Sequence, residues 1–136
     1  MKRIIAVSIF SLSIFFSFSS CKKTAGIGGT STIKGKLFVA EYNILDIQDS
    51  FYVGKEDIYI IYGDNEYFDD KIESSYDGTF EFPYLKKGKY TLFSYGECLP
   101  NDSLCFGGKK AFVKEVVITE NKQIVDIGDL RIVWLQ

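Results

Sequence analysis

Cysteine and carboxylate are the residue types through which this chain could do chemistry, because none of its 136 residues is histidine. Without an imidazole the commonest general base and metal ligand near neutral pH is missing, and Ser–His or Cys–His nucleophile pairs cannot form. Of the three cysteines, Cys98 and Cys105 frame the stretch GECLPNDSLCFGG with six residues between them. In an oxidising compartment such a pair reads as a disulfide, with Pro100, Asn101 and Asp102 supplying the bend. Closing so short a loop stabilises by about 2–3 kcal/mol in the chain-entropy model. A metal site would need more ligands than two thiolates, and a redox pair would stand closer together, as in C-x-x-C.

The carboxylate pairs Asp46/Asp49 and Asp69/Asp70 have the residue types of a glycosidase. Short loops on a small domain give little concavity in which to desolvate a reacting centre, so the chain is expected to be non-enzymatic and free of cofactors. Asp64, Asn65, Glu66, Asp69 and Asp70 form one weak oxygen-ligand candidate for Ca²⁺. Their spacing matches no EF-hand loop, and a solvated turn explains the same residues, so no metal is expected.

Cys21 is a different case. Lys2 and Arg3 are the only charges in residues 1–20, an apolar and Ser-containing run follows them, and small Ser19 and Ser20 precede the cysteine. That order is a basic region, an apolar region too short for a comfortable membrane span, and a cleavage zone. Phe18-Ser19-Ser20-Cys21 resembles a bacterial lipoprotein signal, with Phe18 where leucine is usual. The resemblance implies removal of residues 1–20 and acylation of Cys21 (palmitate among the acyl chains), so that lipid holds the protein to a membrane of the cell envelope. Residues 21–31, rich in glycine and small polar side chains, are expected to be a flexible tether, and residues 32–136 a folded domain. Lys22-Lys23 lacks the acidic cluster of some surface-exported lipoproteins, which favours the outer membrane and a periplasm-facing position.

Removal of residues 1–20 takes two of the 16 basic residues and none of the 18 acidic ones, leaving a net charge of −4. A mildly acidic surface with no basic run argues against a nucleic-acid partner. The remaining sequence alternates rather than following a helical period. Strands are expected over residues 33–42, 57–62, 71–76, 79–82, 90–95, 111–119, 123–127 and 130–135, with residues 43–54 a packed loop. Asp57–Tyr62 and the run YTLFSY are apolar on both faces, as central strands are. Asp77-Gly78 reads as a hairpin reversal into Thr79-Phe80-Glu81-Phe82, whose Phe80 and Phe82 share the core face. About seven or eight short strands separated by Gly, Asn and Asp indicate an all-β, antiparallel two-sheet sandwich of Ig-like architecture.

The succession Ile33-x-Gly35-Lys36-Leu37, DIYIIY and DGTFEFPYLKKGKYTL resembles the prealbumin-like or carboxypeptidase-regulatory-like β-sandwich, on Asp77, Gly78, Phe80, Phe82, Leu85, Gly88, Tyr90 and Leu92. The likeness spans residues 32–135 and implies a non-catalytic accessory, adhesive or structural module. Some related sandwiches cross-link Lys to Asp or Asn between first and last strands beside an acid; Lys34 or Lys36, Asp126 and Glu81 have those types without a matching motif. The surplus of aromatics points to binding. Tyr59, Phe93 and Tyr95 face outward or lie under the loops 43–54 and 98–105, and Phe106 is a fourth candidate ring. The expected function is therefore a lipid-anchored module that binds a protein partner or supports the envelope. The alternative is a carbohydrate-binding module that stacks sugars on those four rings.

Overall fold

The computed structural model describes residues 24–43, 46–100, 102–103 and 105–136. The processing segment 1–20, the lipidation candidate Cys21, Asn101 and Leu104 lie outside the described residues. Eight strands follow one another as β1 (Ile27–Tyr42), β2 (Ile47–Tyr52), β3 (Asp57–Tyr62), β4 (Asp70–Glu73), β5 (Thr79–Leu85), β6 (Gly88–Glu97), β7 (Lys109–Ile118) and β8 (Ile124–Leu135). They make two sheets of four strands each, the all-β sandwich expected from the alternating pattern. Among the described residues there is no helix.

The first sheet is built on β1. One edge of β1 carries β5 beside residues 27–36 and β2 beside residues 38–42, both antiparallel. Along its other edge lies β8, from Thr32↔Ile124 to Tyr42↔Leu135, and this pairing is parallel. Parallel neighbours need a long crossover; here nearly the whole domain provides it, bringing first and last strands side by side. The second sheet has the order β4-β3-β6-β7, so the strands apolar on both faces, β3 and β6, are its central pair. Ile33, Leu37 and Val39 of the first sheet meet Ile58, Ile60, Tyr90 and Leu92 of the second, closed by Phe80, Phe82, Leu130 and Ile132. Each such fully buried apolar side chain contributes about 1.5–3 kcal/mol.

Several expectations are corrected. Residues 43–54 contain β2, an edge strand that is polar and exposed over most of its length and so lacks strong alternation. Asp77-Gly78 is not a hairpin turn: β4 belongs to one sheet and β5 to the other, and the turn carries the chain between them. Gly78 adopts φ 80°, Asp77 Oδ1 accepts from Thr79 N and Oγ1, and Gly78 O accepts from Leu37 N, which docks the corner on β1. Residues 123–135 make one strand, because Gly128 forms a bulge opposite β1 rather than a turn. Of the tether expected over 21–31, the described part begins at Thr24 and is strand from Ile27. Its anchor is the fully buried Tyr90, whose hydroxyl accepts from Gly26 N at 3.0 Å and lies 2.7 Å from Lys86 O.

This start of the chain defines two poles. Ala25 packs at the Gly88 end of β6, where a Cβ on Gly88 would lie 2.7 Å from that of Ala25. Cys98 follows the other end of β6, a strand of ten residues. At ~3.3 Å per residue, the chain entry and the cystine loop are about 30 Å apart.

Candidate functional site

The outer face of the second sheet gathers the aromatics. In β3, Ile58 and Ile60 point to the core and Tyr59 points out; in β6, Leu92 and Ser94 are inside while Phe93 and Tyr95 are outside. Register does the rest. Lys71 stands opposite Tyr59, Tyr59 opposite Phe93, and Phe93 opposite Val113, one row across all four strands, with Tyr95 opposite Ala111 beside it.

The rings form one packed array. Tyr59 and Phe93 stack at 5.0 Å with planes 10° apart, and Tyr95 sets its edge against both, at 5.6 and 5.5 Å. Phe68, from the turn after β3, closes on Tyr59 at 4.9 Å. Such pairs are each worth about 0.5–1.5 kcal/mol beyond burial. Phe93 is buried beneath the others, whereas Tyr95, Phe68 and Val113 remain 48%, 51% and 58% exposed. The loops 43–54 and 98–105 contribute none of these ring contacts; the turn holding Phe68 does the covering, and only in part.

A polar clamp fixes one side of the array. Lys71 Nζ donates to Asp57 Oδ2 at 2.7 Å and lies 5.8 Å from the Tyr59 ring centre, while Tyr59 OH donates to Asp57 Oδ2 at 3.2 Å. The Lys71 bond holds the Asp57 carboxyl below its ordinary value, and the same bond raises the Lys71 ammonium. Burial, then the Asp57 carboxylate, push the Tyr59 phenol up. All three shifts favour the charge state that each group ordinarily has at neutral pH. Beside the clamp are two adjoining clefts of about 290 and 270 Å³ that share Glu56, Tyr95 and Lys109.

Phe106 stands apart from the other three sequence candidates. It is 94% exposed, in the turn where it bridges to Lys109 just after the Cys98–Cys105 disulfide, whose Cα atoms are 5.8 Å apart. The Ca²⁺ candidate does not converge. Asp69 accepts from Tyr62 N and Asn65 Nδ2 and Asp70 from Lys71 N, so these carboxylates cap their own turn. No group of three or more His, Cys, Asp or Glu among the described residues could hold a metal. Lys34, Glu81 and Asp126 do share one row across β5, β1 and β8. They lie on the wet outer face, where Lys34 and Asp126 form a 3.9 Å ion pair with both side chains about half exposed. A hydrated ion pair does not condense to an amide, which needs neutral partners in a dry site.

Phe68, Lys71 and Val113 were missed by the sequence reading. Val113 could have been found, since alternation in β7 puts it with Ala111 and Val117; nothing in the turn GDNEYFDD marks Phe68 as a packing residue. No protein-family model matches the chain, and no curated protein matches it. The two-sheet sandwich is compatible with a prealbumin-like fold.

Proposed function

We propose that this chain is a lipid-anchored, non-catalytic β-sandwich of the bacterial cell envelope that binds a protein partner through the outer face of its second sheet. The observation carrying this reading is the Tyr59–Phe93–Tyr95–Phe68 array, about half exposed at Tyr95 and Phe68 and flanked by Lys71, Asp57 and Glu73. An aromatic centre with a charged, hydrated rim is the composition of a protein interface. Tyr59 and Phe93 cover each other's faces, so they offer a partner ring edges rather than an open platform. Membrane attachment rests on the Cys21 signal. Three residues separate Cys21 from Ala25, which packs at Gly88. This reach of at most about 14 Å of chain would hold the Gly88 pole near the bilayer and direct the clefts outward.

Cross-linking of intact envelopes, followed by purification in detergent, tests this reading. The wild type and Tyr84→Ala should capture one envelope protein, and Tyr95→Ala/Val113→Asp should lose it. Equal capture by all three, or none by any, would refute it. Cys21→Ser should move the protein out of the membrane fraction. A carbohydrate reading draws on a separate observation, the polar cleft beside Tyr59 and Tyr95 lined by Glu56, Glu73 and Lys109, with Phe106 exposed at the same pole. A glycan array signal that Phe106→Ser abolishes would favour it over a protein partner.

A further inference from the structure

The opposite face of the sandwich holds a trench, and it has a chemical polarity. On the outer side of the first sheet, β1 sets Phe38 between Tyr52 of β2 and Arg131 of β8. Two residues on, Ala40 stands between Ser50 and Val133; two further, Tyr42 stands between Ile47 and Leu135. A row of small side chains thus runs across three strands between two rows of large ones. The result is a cleft of about 410 Å³ floored by Ala40 and walled by Phe38, Tyr42, Ile47 and Val133, with Phe112 of β7 also in its lining. Phe38 and Tyr52 meet edge to face at 5.3 Å, which fixes one wall.

Arg131 supplies the only charge on this lining among the described residues. Its guanidinium lies 5.4 Å from the Phe38 ring centre, an arrangement that orients it along the wall. Its carboxylate contact is loose, 3.8 Å to Asp129 Oδ2, and its side chain is 73% exposed, so N–H donors remain for a ligand. Apolar walls with one convergent cation are the lining of a site for a small molecule with an apolar body and an anionic head. A guanidinium binds a carboxylate through two parallel N–H donors.

We propose that this trench binds a small amphipathic carboxylate, with the apolar part over Ala40 and the carboxylate on Arg131. The site is built mainly on the other sheet from the aromatic array, with Phe112 of β7 the one lining residue from the second sheet, and it shares no residue with that array. The probe is 3-phenylpropionate, titrated into the full-length protein in phosphatidylcholine nanodiscs, with amide NMR shifts of Ala40, Ser50 and Val133 as readout. Saturable shifts at those positions are expected, with 3-phenylpropanol at least tenfold weaker, the loss of one charged hydrogen bond, and 3-phenylpropylamine without effect. Arg131→Gln, at an exposed position, should bring the acid down to the affinity of the alcohol. Ala40→Trp, checked for unchanged thermal unfolding, should fill the floor and abolish binding. Absence of saturable shifts, equal affinity for acid and amine, or binding indifferent to Arg131→Gln would overturn the proposal.

Discussion

Removing one oxygen atom, in Tyr90→Phe, should loosen the start of β1 before any other part of the fold. Phenylalanine keeps the ring volume, so no cavity forms and the effect is confined to hydrogen bonding. The hydroxyl has one proton; Lys86 O at 2.7 Å is better placed to accept it than Gly26 O at 3.2 Å. Gly26 O keeps its bond from Lys86 N at 2.8 Å in the variant. The bond to Lys86 O is only part-buried, so water can take the place of the lost donor there. The Gly26 N–H, buried and 3.0 Å from the lost oxygen, has no such recourse. One buried orphan donor costs about 1–3 kcal/mol. Burial raises the Tyr90 phenol above its ordinary value, so the hydroxyl stays a donor at neutral pH and the effect should not vary across it. Urea unfolding should show that loss at an unchanged slope, and hydrogen exchange should show the Gly26 amide losing protection first. Stability within about 0.5 kcal/mol of wild type, with Gly26 still protected, would refute the assignment of Tyr90 as the anchor.

Three further perturbations read other parts of the structure. Gly96→Ala would place a Cβ 2.8 Å from Val133 N and O and from the Phe112 ring, where backbone cannot yield, and should cost about 1–3 kcal/mol in thermal unfolding. Asp57 has its carboxyl held down by Lys71, so its contribution is present above the ordinary aspartate value and is lost as pH falls through the lowered one. Acid titration of stability should therefore fall more steeply for wild type than for Asp57→Asn. Replacing Cys98 and Cys105 together by serine should cost about 2–3 kcal/mol in the chain-entropy model and raise exchange in residues 97–109 while sparing β1, as read by mass spectrometry.

The core and the sheets were legible where alternation was strict. Ile58/Ile60, Phe80/Phe82 and Tyr90/Leu92 announce their faces, and all six are buried where the period places them. What stayed illegible involves partners chosen at long range. Asp77-Gly78 specifies a tight turn but cannot say that β4 and β5 lie in different sheets, because turn chemistry is local and sheet membership is not. The parallel docking of β8 on β1 leaves no local mark for the same reason. β2 is exposed on nearly every residue, and a glycine-rich start hid the strand that Tyr90 ties down at Gly26. Of the candidate site, Tyr59, Phe93 and Tyr95 follow from two central strands with outward aromatics. Their stacking follows from register, and Phe106 falls at the cystine turn beyond the array.

The most direct measurement is a photo-cross-linking scan in intact envelopes, with a photoreactive phenylalanine placed singly at Phe68, Tyr95, Val113 and Tyr84. The first three lie on the outer face of the second sheet or its covering turn, and Tyr84 is more exposed than any of them but sits in β5 of the first sheet. A binding module of the kind proposed should give one common adduct from the first three positions and none from Tyr84. No adduct from Phe68, Tyr95 and Val113, or the same adduct from Tyr84, would contradict the assignment of the aromatic face as the partner site.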